Sequence, residues 1–414
     1  MKRTWPLLSL ALALGVALAA CGDDDDDNPG TQGSGGKSGT GGTGGKSGTG
    51  GTGGSAGTGG ASGTGGSAGT GGTAGISGSA GTGGTGGVAG ASGTGGVAGA
   101  AGSGGSDGKT LAPFTLAALC KSPESAYFDA GTNAWYVSCQ EGPAGTDGHI
   151  AKVTEDGTKA TVANLNFITG LSDPKGIRVH DGKLYVSDVS KLVIANVADG
   201  SGVANFSAVG VGGADAIAEA LLFLNDVAVD PANDKIYVSD TPNNAIFRFD
   251  ADGGNATLVV KDPQIEAPNG LLVRDEKLLI AAFGPGIDRE NGFITDKLGA
   301  VIAVPLATVN DLGDGVTLAA GSFAFISQRV GNLDGLEIDG NGDLVLTDFF
   351  GGRLFTVDPT ADAPGSTPGF DQGDATPVQN GFNQSADHGF DPSRRLVAVP
   401  ETGNGNLRFI DLGP

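Results

Sequence analysis

Six times between residues 118 and 414 the chain repeats one unit: a Pro or Gly, a polar residue, alternating apolar residues, a turn, and a second strand that often closes on Ser-Asp or Thr-Asp. The units read SPESAYFDAGTNAWYVS, DPKGIRVHDGKLYVSDV, FLNDVAVDPANDKIYVSDT, APNGLLVRDEKLLIAAF, NLDGLEIDGNGDLVLTDF and SADHGFDPSRRLVAVPETG. A repeat period of about fifty residues specifies a solenoid, a propeller or an array, because one unit cannot bury its own apolar face and must stack on its neighbours. Within each unit the apolar residues recur with period two and helical periodicity is nearly absent, so the unit is a hairpin flanked by further strands such as AIFRFD and RLFTVD. Four strands per unit and six units predict an all-β fold, a six-bladed β-propeller over residues 109–414. The stretch APFTL near residue 113 is placed to add the outer strand that closes the ring onto the last blade.

The chain ahead of residue 109 has no part in that core. Lys2 and Arg3 precede an apolar run from Leu7 to Leu18, which is the layout of an export signal over residues 1–20 and too short for a membrane span. The sequence Leu18-Ala19-Ala20-Cys21 resembles the bacterial lipobox, and that resemblance implies cleavage before Cys21 and its lipidation, a stable anchor in the membrane. The same resemblance implies that Gly22, in place of an aspartate, permits sorting to the outer membrane, so the expectation is a cell-envelope lipoprotein of the outer membrane on its periplasmic or its surface side. Residues 23–27 are five consecutive aspartates, a solvated spacer, and residues 28–108 are almost wholly Gly, Ser, Thr and Ala. Residues 21–108 thus read as a lipidated Cys followed by a disordered linker, with a root-mean-square reach of roughly 50 Å. Its Gly-x-Gly repeats are not phosphate loops, since none follows a strand and opens a helix.

A net charge of −22 disfavours nucleic acid and other polyanions as partners, so no nucleic-acid partner is expected, and favours a cation. Cys120 and Cys139 flank the first hairpin. In an exported chain they form a structural disulfide or else remain buried thiols; no CxxC or neighbouring His indicates redox or zinc chemistry. The domain is expected to act as a monomer.

Aligned on Asp129, Asp230 and Asp339, the units place Glu124, Lys175, Asn225, Asn269, Asp334 and Ala386 at one equivalent position at the head of each inner strand. Asp334 stands directly before the strand from Leu336 to Ile338, where an unpaired charge is costly and needs compensation. Repetition around a ring turns these side chains together, and Glu124, Asn225, Asn269 and Asp334 form an all-oxygen set suited to a hard cation, Ca2+ above other divalent ions. Asn-Gly and Asp-Gly are also plain turn formers, so the same residues have a purely structural reading. The run DGNGD at 339–343 starts like an EF-hand loop but lacks its glycine and closing glutamate, and reads as a hairpin turn.

The domain resembles the SMP-30/gluconolactonase/LRE family of six-bladed propellers, related in architecture to the paraoxonases, through SPES, FLNDVAVD, APNGLLV and LDGLEID. That resemblance implies a divalent cation, commonly calcium, held by Glu124, Asn269 and Asp334, with Asn225 a further ligand or a substrate contact. It also implies a hydrolase of lactones or related esters, with Asp387 or His388 as general base. Asp226 is either base or support to the site, and Lys175 binds a substrate carboxylate or pairs with Glu124. His149 and His180 fall in turn-like, exposed positions and receive no role. The competing expectation is a non-catalytic propeller whose upper face binds a peptide, glycan or partner protein, with calcium structural at most.

Overall fold

The computed structural model describes residues 111–141, 147–312, 316–359 and 375–413. Cys21, the signal, the aspartate run and the linker to residue 108 lie outside the described residues. The described chain folds into six four-stranded antiparallel sheets, each the blade of a propeller. Their inner strands are Ser122–Asp129, Pro174–His180, Leu224–Asp230, Pro268–Arg274, Leu333–Ile338 and Gly389–Asp391.

Local chemistry accounts for the hairpins. Asp181-Gly182 and Asp275-Glu276 join inner and second strands as two-residue turns with positive φ at both positions. That is the backbone twist a two-residue hairpin requires, and Asp and Gly tolerate it. The run at 339–343 is likewise a turn, in which Asp339 Oδ1 accepts from Asn341 N at 2.8 Å and Asp343 N at 3.1 Å. Apolar side chains fill the seams between neighbouring blades, for example Tyr185 with Val227 and Phe247, so strand interiors are buried on both faces.

The ring closes as the APFTL stretch predicts. Phe114–Leu116 pairs with the strand Asn406–Asp411 and completes the sixth blade with the chain's first strand. Phe114 stacks on Phe409 at 4.7 Å, and Trp135 of the first blade meets Phe409 edge-on at 5.5 Å. Contacts of this kind add about 0.5–1.5 kcal/mol each beyond burial. Cys120 and Cys139 form a disulfide across a separation of 19 residues, tying the segment after the closing strand to the first blade.

The feature that builds the site is a β-bulge repeated around the ring. Register shifts fall between Pro123 and Ala126, Pro174 and Ile177, Leu224 and Val227, Pro268 and Leu271, and Leu333 and Leu336. A bulge re-aims a side chain that regular alternation would bury in the seam. Asp334 is therefore not ahead of its strand, as the sequence suggests, but inside it, at the bulge. The recurrent Ser/Thr before the closing acid pins these bulges. Ser239 Oγ accepts from Asp226 N at 2.8 Å and donates to the carbonyl of Asn269, in the next blade, at 2.8 Å. Thr347 bridges Gly335 N and the carbonyl of Ala386 in the same way, at 2.8 and 2.9 Å.

Candidate functional site

Each bulge presents two successive residues at the end of the axis where the inner strands begin. The first of each pair, Glu124, Lys175, Asn225, Asn269, Asp334 and Ala386, forms an upper ring, and all six are buried. Asn225 Nδ2 donates to Asn269 Oδ1 at 2.6 Å and to Thr241 Oγ1 at 2.9 Å. Glu124 Oε2 and Asp334 Oδ1 are buried with no hydrogen-bond partner. Burial, followed by the Asp334 charge, pushes Glu124 well above the usual carboxylate range, with Lys175 acting the other way. Burial and then Asp226 push Asp334 up to about 8, against a hydrogen bond from Asn269. Two carboxylates of one ring, with only the Ala386 position between them, thus compete for compensation that the side chains around them do not supply.

The second residues of the pairs, Ser125, Gly176, Asp226, Gly270, Gly335 and Asp387, form a lower ring. Three are glycine because neighbouring backbone leaves no room: a Cβ on Gly176 would lie 2.5 Å from Asp226 Cα, and one on Gly335 would lie 2.6 Å from His388 N. Asp226 is fully engaged, with Oδ1 accepting from Val227 N at 2.6 Å and Oδ2 from Leu271 N at 2.6 Å. Asp387 Oδ2 accepts from Ser125 Oγ at 2.5 Å, while Oδ1 is buried and unpartnered. Burial, then Asp226, hold the Asp387 carboxyl well above its ordinary range.

Below this ring lies a residue that sequence reasoning missed. Arg178 reaches Asp226 at 3.4 Å, Glu337 at 3.7 Å and Asp387 at 3.6 Å, donates to Leu271 O at 3.3 Å, and lies over the Tyr127 ring at 5.7 Å. It springs from the second blade and touches the other five, so its guanidinium sits on the axis. Despite the opposing effect of burial, its acidic neighbours hold its pKa above the ordinary arginine value. The signal was present in GIRVH, a cation set inside an apolar inner strand. Beneath Arg178 a cavity of about 150 Å³ opens at the far end, lined by Tyr127, Glu337 and aliphatic residues.

The remaining candidates are distributed as follows. Lys175 Nζ donates to Asp173 Oδ2 at 2.5 Å and lies 4.4 Å from the centre of the Phe223 ring, so its charge is already answered. His388 falls at the seam position that Ile177 and Val227 hold in other blades; neither ring nitrogen is hydrogen-bonded, and burial lowers its pKa to about 3. The imidazole is neutral and unoriented. His149 is buried inside the strand Gly148–Glu155, a correction to the exposed turn expected for it, because its strand is sandwiched between a second and a fourth. His180 is half-buried at a hairpin, 3.5 Å from Asp234.

Among the described residues no three His, Cys, Asp or Glu side chains are grouped as metal ligands. The upper ring offers instead two carboxylates and two amides. That donor set, with two orphaned carboxylate oxygens, fits a hard divalent cation such as calcium and does not fit zinc.

Fold and site define a six-bladed β-propeller with two carboxylates and two amides set in a buried ring where its inner strands begin. A gluconolactonase from Xanthomonas campestris shares the fold with a TM-score of 0.50 and 14% sequence identity, over 73% of this chain and 89% of that one. A chain of a nidogen–laminin complex aligns with a TM-score of 0.41 and 15% identity, over 62% of this chain and 83% of that one. No protein-family model matches the sequence. No curated protein matches it either.

Proposed function

We propose that the protein is a calcium-dependent hydrolase of lactones or related esters, held at the cell envelope by a lipidated Cys21 and the linker behind it. The observation that carries this reading is the pair of buried, unpartnered oxygens, Glu124 Oε2 and Asp334 Oδ1, beside the amides of Asn225 and Asn269. A divalent cation bound there would polarise a substrate carbonyl and acidify a water molecule. Glu124, Asn269 and Asp334 would hold it, and Asn225, tied to Asn269 and Thr241, completes the set or orients the substrate. The proton-accepting role falls to Asp387: one of its oxygens is free, Asp226 has both oxygens filled, and His388 is packed in a seam. Ala386 presents only a methyl group at the ring above Asp387. Ser125 and Arg178 fix the other face of that carboxylate.

The test is a calcium titration of the unfolding midpoint of the full chain, with Asn269→Ala and Asp334→Ala beside it, followed by hydrolysis assays on lactones and aryl esters. A ligand that binds only the folded state must raise the midpoint. A rise in the parent that both variants lose, together with calcium-dependent turnover, is expected. A midpoint indifferent to calcium and chelator sinks the metal site, and a calcium-bound protein without turnover leaves the non-catalytic propeller.

A further inference from the structure

The rim above the ring is aromatic. Phe283 and Phe349 directly follow the second strands of the fourth and fifth blades, the station held in the third by Thr241, whose hydroxyl contacts Asn225 at 2.9 Å. Their backbone donors fix them next to the site: Phe283 N bonds Ala267 O at 2.8 Å and Phe349 N bonds Asn332 O at 2.9 Å, each acceptor two residues ahead of Asn269 or Asp334. Phe350 meets Phe283 at 5.6 Å and Phe349 at 5.2 Å, and 47% of its surface is exposed. On the other side Phe223, two residues ahead of Asn225, contacts Phe293 at 5.5 Å. Phe293 belongs to the connection 283–300 that begins at Phe283, and Asn332 anchors this connection by donating to Thr295 Oγ1 and Phe283 O, both at 2.9 Å. Beside it Ile294 is 57% exposed.

Lys175 and Arg178 are already paired, Lys175 with Asp173 and Arg178 with Asp226, Glu337 and Asp387. On the Phe223 side of the rim Arg289 lies over that ring at 5.2 Å and donates to Leu221 O at 2.9 Å. The patch formed by Phe283, Phe349 and Phe350 is the apolar part of the rim. The three phenyl groups offer no hydrogen-bond donor or acceptor to the hydroxyls around the edge of a polyhydroxylated ring, whereas they bury an alkyl or aryl group directly.

We infer that the substrate is a lactone or ester bearing an alkyl or aryl substituent, with that substituent lying against Phe283, Phe349 and Phe350 while the carbonyl faces the ring. This rests on the hydrolase reading above. The geometry makes Phe350 a specificity residue: it contributes apolar surface at the rim and no donor to the chemistry.

The full chain with calcium is assayed on γ-lactones carrying methyl to hexyl substituents, on phenyl acetate, and on a polyhydroxylated aldonolactone. The parent should show kcat/KM rising about fourfold per added methylene, the worth of one buried CH2, with the aldonolactone the poorest substrate. Phe350→Ser should flatten that gradient through KM for the longer lactones, while Leu165→Ser, at another exposed apolar residue on the outer strand of the first blade, should keep it. Because Phe350 is a surface residue, a calcium-dependent unfolding midpoint retained in the variant excludes misfolding as the cause. A flat gradient, or preference for the aldonolactone, overturns this inference and leaves the hydrolase standing. No turnover of any lactone or ester overturns both.

Discussion

Asn225 donates from Nδ2 to Oδ1 of Asn269 at 2.6 Å, joining the third and fourth blades side chain to side chain at the level of the ring. The same nitrogen also reaches Thr241, while Asn269 accepts from Asn225 and hydrogen-bonds Asp334, so each amide supports two partners. Asn225→Ala and Asn269→Ala should therefore each cost about 1–3 kcal/mol, the price of leaving buried polar groups unsatisfied. Urea unfolding of the two variants and their double mutant measures this; a double-mutant cost equal to the sum of the single costs would show that the Asn225–Asn269 bond contributes nothing.

Stability of the calcium-free chain should fall as pH rises from about 4 to about 8. Asp334 has its folded pKa raised to about 8 and Glu337 to about 7, both by burial first. The folded state therefore binds more protons than the unfolded state across that window, and stability declines with pH there. Excess calcium should oppose the decline, because it competes with protons for Asp334. Asp334→Asn should flatten the calcium-free profile measured by thermal unfolding; an unchanged slope would remove Asp334 as its cause.

Arg178 faces Asp226, Asp387 and Glu337 in a buried layer. Removing one partner from such a cluster strands the others, at about 3–5 kcal/mol. Arg178→Met should lose that much in urea unfolding at pH 8 and recover part of it at pH 5, where the carboxylates take up protons. A loss independent of pH would mean that packing, not charge, is what Arg178 supplies.

The Cys120–Cys139 disulfide closes a loop of 19 residues next to the closing strand. Chain-entropy reasoning assigns it about 3 kcal/mol. Reduction, or Cys139→Ser, should lower the unfolding midpoint and expose the seam between the first and sixth blades to hydrogen exchange before the others. Uniform loss of protection would place ring closure elsewhere.

Ser239→Ala removes both the donor to Asn269 O and the acceptor of Asp226 N. Two ring residues lose their spacing at once, so calcium affinity read from the midpoint titration should weaken about tenfold or more, while global stability falls by only about 1–2 kcal/mol. A stability loss without a change in affinity would limit Ser239 to a structural role.

Blade number, the inner hairpins, the closing strand and the equivalence of Glu124, Lys175, Asn225, Asn269, Asp334 and Ala386 were legible in the chain, but not that Asp334 lies inside its strand or that His149 lies in one. The reason is local: period-two alternation, turn residues such as Asp181-Gly182, and a constant five-residue interval from Asp129, Asp230 and Asp339 back to the ring are written within single units. The Ser-Asp and Thr-Asp endings were visible too, but not their use as staples between blades, since a hydroxyl's second partner lies in the next unit.

What tertiary structure alone decided is what meets across the axis. Ser125 and Asp387 are 262 residues apart in sequence yet 2.5 Å apart in the channel, and Arg178 gathers four side chains and the Leu271 carbonyl from the five other blades. The same closure put His388 into a seam and left oxygens of Glu124 and Asp334 unpartnered. A one-dimensional pattern sets which residues recur at each head of strand; desolvation and cross-ring charge exist only once six separate units share one axis.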